Sequence, residues 1–269
     1  MTMMLAPDLL DRRALALIAL VDAFGRPVRS PVSIVAEGVR VVGKPGGRVA
    51  VLDAPGLDSH SAAFAAPPGT PAVRSKSIPL DLTPSDGELL PRRFVLRLPR
   101  NPDPAAKDNP LSLFQPETLV LSASPRTRME GNACILRATV RRTSDGARVE
   151  NALVRARTAD GAQIASALTD AAGEAALVFT ALPLSFAGPG GTTSPSIAAS
   201  VIVHADPASA RFADPSRLGE ARRASSARIR DHADPDAIAA ANAANFAGGT
   251  TVQLAAGSEP SVELKWTAP

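Results

Sequence analysis

Residues 134–180 read CILRATVRRTSDGARVENALVRARTADGAQIASALTDAAGEAALVFT, and this stretch decides the fold. Its apolar runs are short: Cys134 to Arg142, Ala152 to Thr158, Gln163 to Leu168 and Ala175 to Thr180, with turn text such as Asp145-Gly146 and Asp170 to Gly173 between them. Runs of this length bounded by Asp and Gly are strands, because a helix needs about 10–12 residues to establish its period. In the second run Ala152, Val154 and Ala156 share one face of the pleat, while Leu153, Arg155 and Arg157 share the other. The alternation predicts a buried face of small residues and an arginine face in water.

The same texture extends in both directions. Upstream lie Leu15 to Val21, Val32 to Ala36, Val39 to Val42, Arg48 to Leu52, Ser77 to Leu82 and Phe94 to Leu98, the last alternating Phe94, Leu96 and Leu98 with Val95 and Arg97. Thr118 to Ser122 precedes the deciding stretch, and Ile197 to His204 follows it. Between the two regions, Pro99-Arg100-Asn101-Pro102-Asp103-Pro104 runs on to Asn109-Pro110; it can neither continue a ladder nor start a long helix, and is expected to be a linker. The apolar run after Arg12-Arg13 ends at Asp22 without a clean cleavage site, so a buried strand is expected there and not an export signal. No stretch approaches the roughly 20 apolar residues of a membrane span.

After His204 the period changes. Asp206-Pro207, Asp214-Pro215 and Asp234-Pro235 each place a capping carboxylate before a proline, which marks three candidate helix starts. Ala-rich segments follow from Pro215 to Arg230 and from Pro235 to Phe246, with Gly248-Gly249 as a stop. Thr251 to Leu254 and Ser261 to Trp266 then flank Gly257-Ser258-Glu259-Pro260 as a terminal hairpin. The expected architecture is mainly β: two tandem Ig-like or transthyretin-like β-sandwich domains at 1–99 and 111–269, joined by a Pro-rich linker at 100–110. The second carries a helical insertion at about 206–247, before its last hairpin.

One supersecondary phrase is used twice. Ala19-Leu20-Val21-Asp22-Ala23-Phe24-Gly25-Arg26-Pro27-Val28 parallels Thr139-Val140 through Asp145-Gly146 to Val149, and Lys44-Pro45-Gly46-Gly47-Arg48-Val49 parallels Asp170 to Ala175 with Gly173 at the turn. The second copy, with Asp145-Gly146, Val149-Glu150-Asn151-Ala152-Leu153-Val154 and Thr169-Asp170-Ala171-Ala172-Gly173-Glu174-Ala175, resembles the carboxypeptidase regulatory-like, or transthyretin-like, β-sandwich family. The resemblance covers residues 134–180 and is looser in the first copy, where Pro31 and the Lys44 to Gly47 turn depart from it. It implies an accessory fold used for scaffolding, adhesion or ligand presentation, and it carries no site residues across.

Composition removes several function classes. The chain has 269 residues, 45% hydrophobic and 20% charged, with 25 Pro and 19 Gly, a turn-rich globular composition. One Cys and three His leave no disulfide pair and no structural zinc site of Cys/His type. A formal charge of +3, 3% aromatic residues and no Tyr argue against a nucleic-acid platform. The glycines of Gly188-Pro189-Gly190-Gly191 have neither a Lys at phosphate-loop spacing nor a helix after them, so a surface loop is expected.

Few residues suggest chemistry. Asp231-His232-Ala233-Asp234-Pro235-Asp236 is the densest set of hard ligands, but acids in a first helical turn explain Asp234 and Asp236 without a metal. His60 and His204 stand apart from any nucleophile phrase, Gly-x-Ser-x-Gly is absent, and Cys134 opens an apolar strand as a small hydrophobe. No enzyme, cofactor or metal is expected. Arg217, Arg222, Arg223, Arg228 and Arg230 spread around one predicted helix, and Arg217, Arg222, Arg223 and Arg230 with Trp266 form the candidate interface set. Trp266 itself fits a core plug as well as an interface anchor.

The expected function is a non-enzymatic structural protein that docks to other subunits of an assembly. Duplicated modules of this kind resemble accessory components of phage-tail-like contractile injection particles, which would be built in the cytoplasm. A ligand-binding or adhesion module for carbohydrate is the alternative, and the scarcity of aromatic platforms weighs against it.

Overall fold

The structure, a computed structural model, describes residues 13–62, 68–159, 161–182, 196–214, 216, 232–242 and 249–268. The fold is mainly β. In chain order come β1 (Ala16–Val21), β2 (Val32–Val35), β3 (Arg40–Lys44), β4 (Arg48–Asp53), helix α1 (Asp58–Ala62), β5 (Lys76–Pro84), β6 (Arg92–Leu98) and β7 (Glu117–Val120). Then follow β8 (Cys134–Arg142), β9 (Arg148–Glu150), β10 (Leu153–Thr158), β11 (Gln163–Leu168), β12 (Glu174–Phe179), β13 (Ser196–His204), β14 (Arg211–Ala213), helix α2 (Pro235–Ala241), β15 (Thr250–Ala255) and β16 (Ser261–Trp266). The described residues form four sheets: β3-β4-β1-β7, β2-β5-β6, β11-β10-β13-β15, and β12-β8-β9-β14 with β16 added to β8.

The compact units do not divide where consecutive domains were expected. One unit takes Met1–Leu20, Ala36–Pro79 and Val95–Leu119, and the other takes Val21–Val35, Leu80–Phe94 and Val120–Pro269. Composition alone could not show this interleaving, because sheet pairing joins strands that are remote in sequence.

In the first unit β1 runs antiparallel to β4, with Ile18 opposite Val49. Its alternate residues Ala16, Ile18 and Leu20 are buried, as are Val51, Leu57, Leu96 and Leu98 in the same unit. The expected linker is folded into this unit. Asp103 caps the short 3-10 turn Pro104–Ala106 by accepting from Ala105 N–H, and Asn101 exchanges backbone hydrogen bonds with Leu111 and Leu113. Arg100 organises the loop from inside: its side chain is 3% exposed, and it donates to the carbonyls of Ser112 (3.0 Å) and Pro110 and to the Glu117 carboxylate. A stretch rich in Pro, Asp and Asn makes a folded loop when a buried cation collects its carbonyls.

The second unit holds a sandwich. Sheet β11-β10-β13-β15 faces sheet β12-β8-β9-β14 across a core that includes Leu136, Val140, Val154, Leu177, Phe179, Val201, Leu254 and Trp266. The outer face of β8 and β12 is covered as well, since Ile135, Ala176 and Val178 pack with Ala123 and Phe24. Double coverage explains why β12 is buried along almost its whole length.

The duplicated phrase is visible in the backbone. Leu20 N–H donates to Gly47 C=O at 2.7 Å in one copy, and Val140 N–H donates to Gly173 C=O at 2.7 Å in the other. In both copies this bond anchors the turn-entered strand, β4 or β12, against the strand that opens the copy, β1 or β8. Gly173 has φ +68°, and a Cβ there would lie 2.8 Å from Val140 O and 2.9 Å from Val149 N, so only glycine closes this turn.

Two other expectations change. The last two strands are not a hairpin: β15 pairs with β13 in one sheet, and β16 pairs in parallel with β8 in the other. Gly257 (φ +72°) turns the chain, Ile135 N–H donates to Ser258 C=O and Arg137 N–H to Pro260 C=O, so the segment crosses the sandwich instead of doubling back. Asp206-Pro207 opens a tight turn, with the Asp206 carboxylate accepting from Ala208 N–H, and the chain then forms strand β14. An Asp-Pro pair suits a turn as well as a helix start, and pairing of β14 with β9 decides between them. Within the described residues the helical insertion is α2, whose cap at Asp234-Pro235 is as expected. Residues 188–195, most of the predicted helix from Pro215 to Arg230, and Asp231 lie outside the described residues.

Gly173→Ala is expected to cost about 2–4 kcal/mol through left-handed strain and backbone overlap. Gly146→Asn, at φ +72° in open space, is expected to cost about 1 kcal/mol or less. Arg100→Leu is expected to cost about 2–4 kcal/mol by leaving Glu117 and two carbonyls without their donor. Urea unfolding midpoints of the three variants check the order.

Candidate docking site

Two places in the second unit gather side chains that could carry function. The first is the ion layer that holds α2. A helix of seven residues cannot persist alone, so its stability comes from what it touches. Asp234 caps it, accepting from Asp236 N–H (3.0 Å) and Ala237 N–H (3.2 Å), with Pro235 at the first helical position. Arg92, 6% exposed, donates to Asp236 and to Val120 C=O, and lies 3.9 Å from Asp234. Arg93 grips Asp81 through two bonds of 2.9 and 3.0 Å, while its backbone N–H donates to Ala233 C=O. His232 is buried, with Nδ1 3.9 Å from Asp81.

The apolar side of α2 covers the second face of the β10 sheet: Ala233 and Ile238 pack on Leu153 and Leu168. This cover overturns the expectation that Arg155 points into water. Arg155 is buried, donating from Nε to Gln163 Oε1 (2.9 Å) and from Nη1 to Asn242 C=O (3.1 Å) at the helix end. Desolvation, then the nearby Arg157, pushes its pKa below the usual guanidinium value. A guanidinium against the C-terminal carbonyls also complements the helix dipole. Arginines therefore fasten both ends of α2.

A cleft of about 510 Å³ opens beside this layer, lined in part by Arg93, Pro207, His232, Ile238 and Asn242. Its acids are already engaged: Asp234 caps the helix and Asp206 closes a turn. No group of three metal-ligating side chains converges among the described residues. His60 and His204 are buried in separate elements, and Cys134 is buried with Sγ 3.4 Å from Ser258 Oγ.

The second place is at the edge of the other sheet. Trp266 is buried as a core plug, 6% exposed, and the ring of Phe212 stacks on it with centroids 5.9 Å apart and planes 21° apart. Phe212 is 42% exposed, on β14 at the end of its sheet, and the Arg142 guanidinium lies 3.9 Å over its ring. Asp145 holds Arg142 in place, with Oδ1 accepting from Nε at 2.9 Å. This bond first, then the hydrogen bond from Ala147 N–H, pulls the Asp145 carboxyl down to about 2. Core, ring and cation thus form one column that ends in solvent. The column includes Trp266 of the expected set. Arg217, Arg222, Arg223 and Arg230 lie outside the described residues. Phe212 was missed because residues after His204 read as helix, which hid β14, and Arg142, at the end of its strand, gives no signal until Phe212 lies under it.

No protein-family model matches the chain, and no curated protein matches it. Among solved structures the chain is similar to the Bacillus anthracis TIE protein at 10% identity and a TM-score of 0.21, over 94% of this chain and 33% of that one. It is similar to catechol 1,2-dioxygenase from an Acinetobacter species, inhibited by bound mercury, at 21% identity and a TM-score of 0.22, over 53% and 54% of the two chains. It is similar to BcpA, the major pilin subunit of Bacillus cereus, at 6% identity and a TM-score of 0.24, over 96% and 60%. The chain spans about a third of the length of the first of these and little more than half of the other two. At such scores the fold stands on its own sheets and no function is transferred.

Asp145 is expected to titrate near 2, against 3.8 for an ordinary aspartate, and Arg142→Gln should move it back toward 3.8. A lowered folded pKa gives a contribution that is full above 3.8 and lost as pH falls through 2, so the Arg142 clamp on Phe212 should loosen only in that acid window. Carboxyl NMR titration of both forms measures it.

Proposed function

We propose that the chain is a non-enzymatic structural module that docks to other subunits of a multi-protein assembly through the edge of β14. The observation that carries this reading is the Trp266–Phe212–Arg142 column. An aromatic ring exposed at a sheet edge, backed by a buried indole and fixed under a guanidinium, has little side-chain entropy left to lose on binding. Aromatic and arginine anchors of this kind dominate interface energies. The ion layer around α2 supports the same reading, since its charged groups hold a helix on a sheet.

The setting to which the proposal extends is a phage-tail-like contractile injection particle assembled in the cytoplasm, on the strength of the duplicated sandwich phrase. Arg217, Arg222, Arg223 and Arg230 form the second docking patch within this proposal. Sheath, tube or baseplate genes next to the gene for this chain would support the setting, and their absence would remove it.

A photo-crosslinking residue at position 212 should, in the native host, join the chain to a different polypeptide, while the same probe at Gln163 should not. Phe212→Ala should weaken that partner's binding by about 2 kcal/mol, roughly 30-fold. Crosslinking at both positions alike, or at neither, overturns the reading.

A further inference from the structure

Among the described residues the edges of these sheets are guarded in different ways, and one is not. Strand β3 carries Arg40 and Lys44 and a register shift after Arg40. Strands β2 and β7 have four residues each, β2 directly after Pro31 and β7 opening on Glu117. Strand β14 has three residues and begins with Arg211. On β11 the register shifts opposite Arg157, and Leu168 N–H is taken by Ser122 Oγ. Strand β6 carries Arg92, Arg93 and Arg97, β16 carries Glu263 and Lys265, and β12 is buried along almost its whole length. Charges, bulges, shortness and covering side chains are the ordinary means by which a sheet edge is kept from pairing with another chain.

Strand β15 has none of them. Its six residues, Thr250–Ala255, contain no charge and no proline, and among the described residues they pair in unbroken register with β13 on one side only. Thr251 and Gln253 lie on the exposed face, while Val252 and Leu254 belong to the core side. We propose that this edge pairs antiparallel with β15 of a second copy of the same chain, joining two four-stranded sheets across a two-fold axis. Neutrality selects this occupant. In an antiparallel self-pair each residue meets one from its own strand, which would set like charges together on β3 and sets none together here.

The pleat fixes the register to choices that keep faces matched. An axis through Val252 places Thr251 opposite Gln253 of the second copy, and Thr250 opposite Leu254. Ser196 Oγ already donates to Gln253 Oε1 at 3.2 Å, so the Gln253 amide N–H groups are left to donate to Thr251 of the second copy. The inference rests on the docking reading only in being an interaction function, because it uses a different sheet and a different edge.

Sedimentation of the full chain across the micromolar range should show a monomer–dimer equilibrium. The double variant Thr251→Lys with Gln253→Lys should raise the dimer Kd about tenfold or more, with an unchanged far-UV spectrum. Mixing it with a Thr251→Glu, Gln253→Glu variant should restore a heterodimer. A wild-type chain that stays monomeric, or a lysine variant that dimerises as before, overturns the proposal. Phe212→Ala should dimerise normally and the lysine variant should still crosslink at position 212, so this edge and the β14 edge fail separately.

Discussion

The second unit depends on one turn that only glycine can close. At Gly173 the backbone comes so near Val140 O and Val149 N that a side chain has no room, and the resulting Val140–Gly173 bond fixes β12 against β8. Once that register is set, the alternate residues of β8 and β12 are assigned to the core or to the covered outer face, since a slip of one residue would exchange them. The same bond between Leu20 and Gly47 does this for β1 and β4 in the first unit. The two copies of the phrase therefore share a backbone constraint more closely than they share a string of residues.

Within that frame arginine takes the place that larger apolar side chains hold in many cores. Arg92, Arg100 and Arg155 are buried in a chain with only 3% aromatic residues, and each donates to backbone carbonyls that a loop or a short helix would otherwise leave unsatisfied. A guanidinium can serve several carbonyls at once because its donors are fixed in a planar fork. This is how a proline-rich stretch and a seven-residue helix are both held in fixed shape.

What the sequence disclosed follows from which forces are local. Strand positions, the cap at Asp234-Pro235 and the glycine turns depend on neighbours within a few residues, and they were legible. Pairing is not local. Thr251 to Leu254 and Ser261 to Trp266 look like a hairpin because they are adjacent and short, and only the bonds from Ile135 and Arg137 to the intervening turn place them in opposite sheets. The burial of Arg155 was hidden for the same reason: alternation told which residues share its face, but not that α2 lies over that face. At the β14 edge Trp266 could be picked out as a lone indole, whereas Phe212 and Arg142 acquire meaning only when β14, β8 and β16 meet.

The parallel pairing of β16 with β8 has a consequence in time. Two strands more than a hundred positions apart in the chain become immediate neighbours, and the later one brings the sole tryptophan into the core. Closing so long a loop is entropically slow and comes after local pairing. Emission from that indole therefore reports the arrival of β16 at β8, the step that completes the flank of β8 from Arg137 to Arg142.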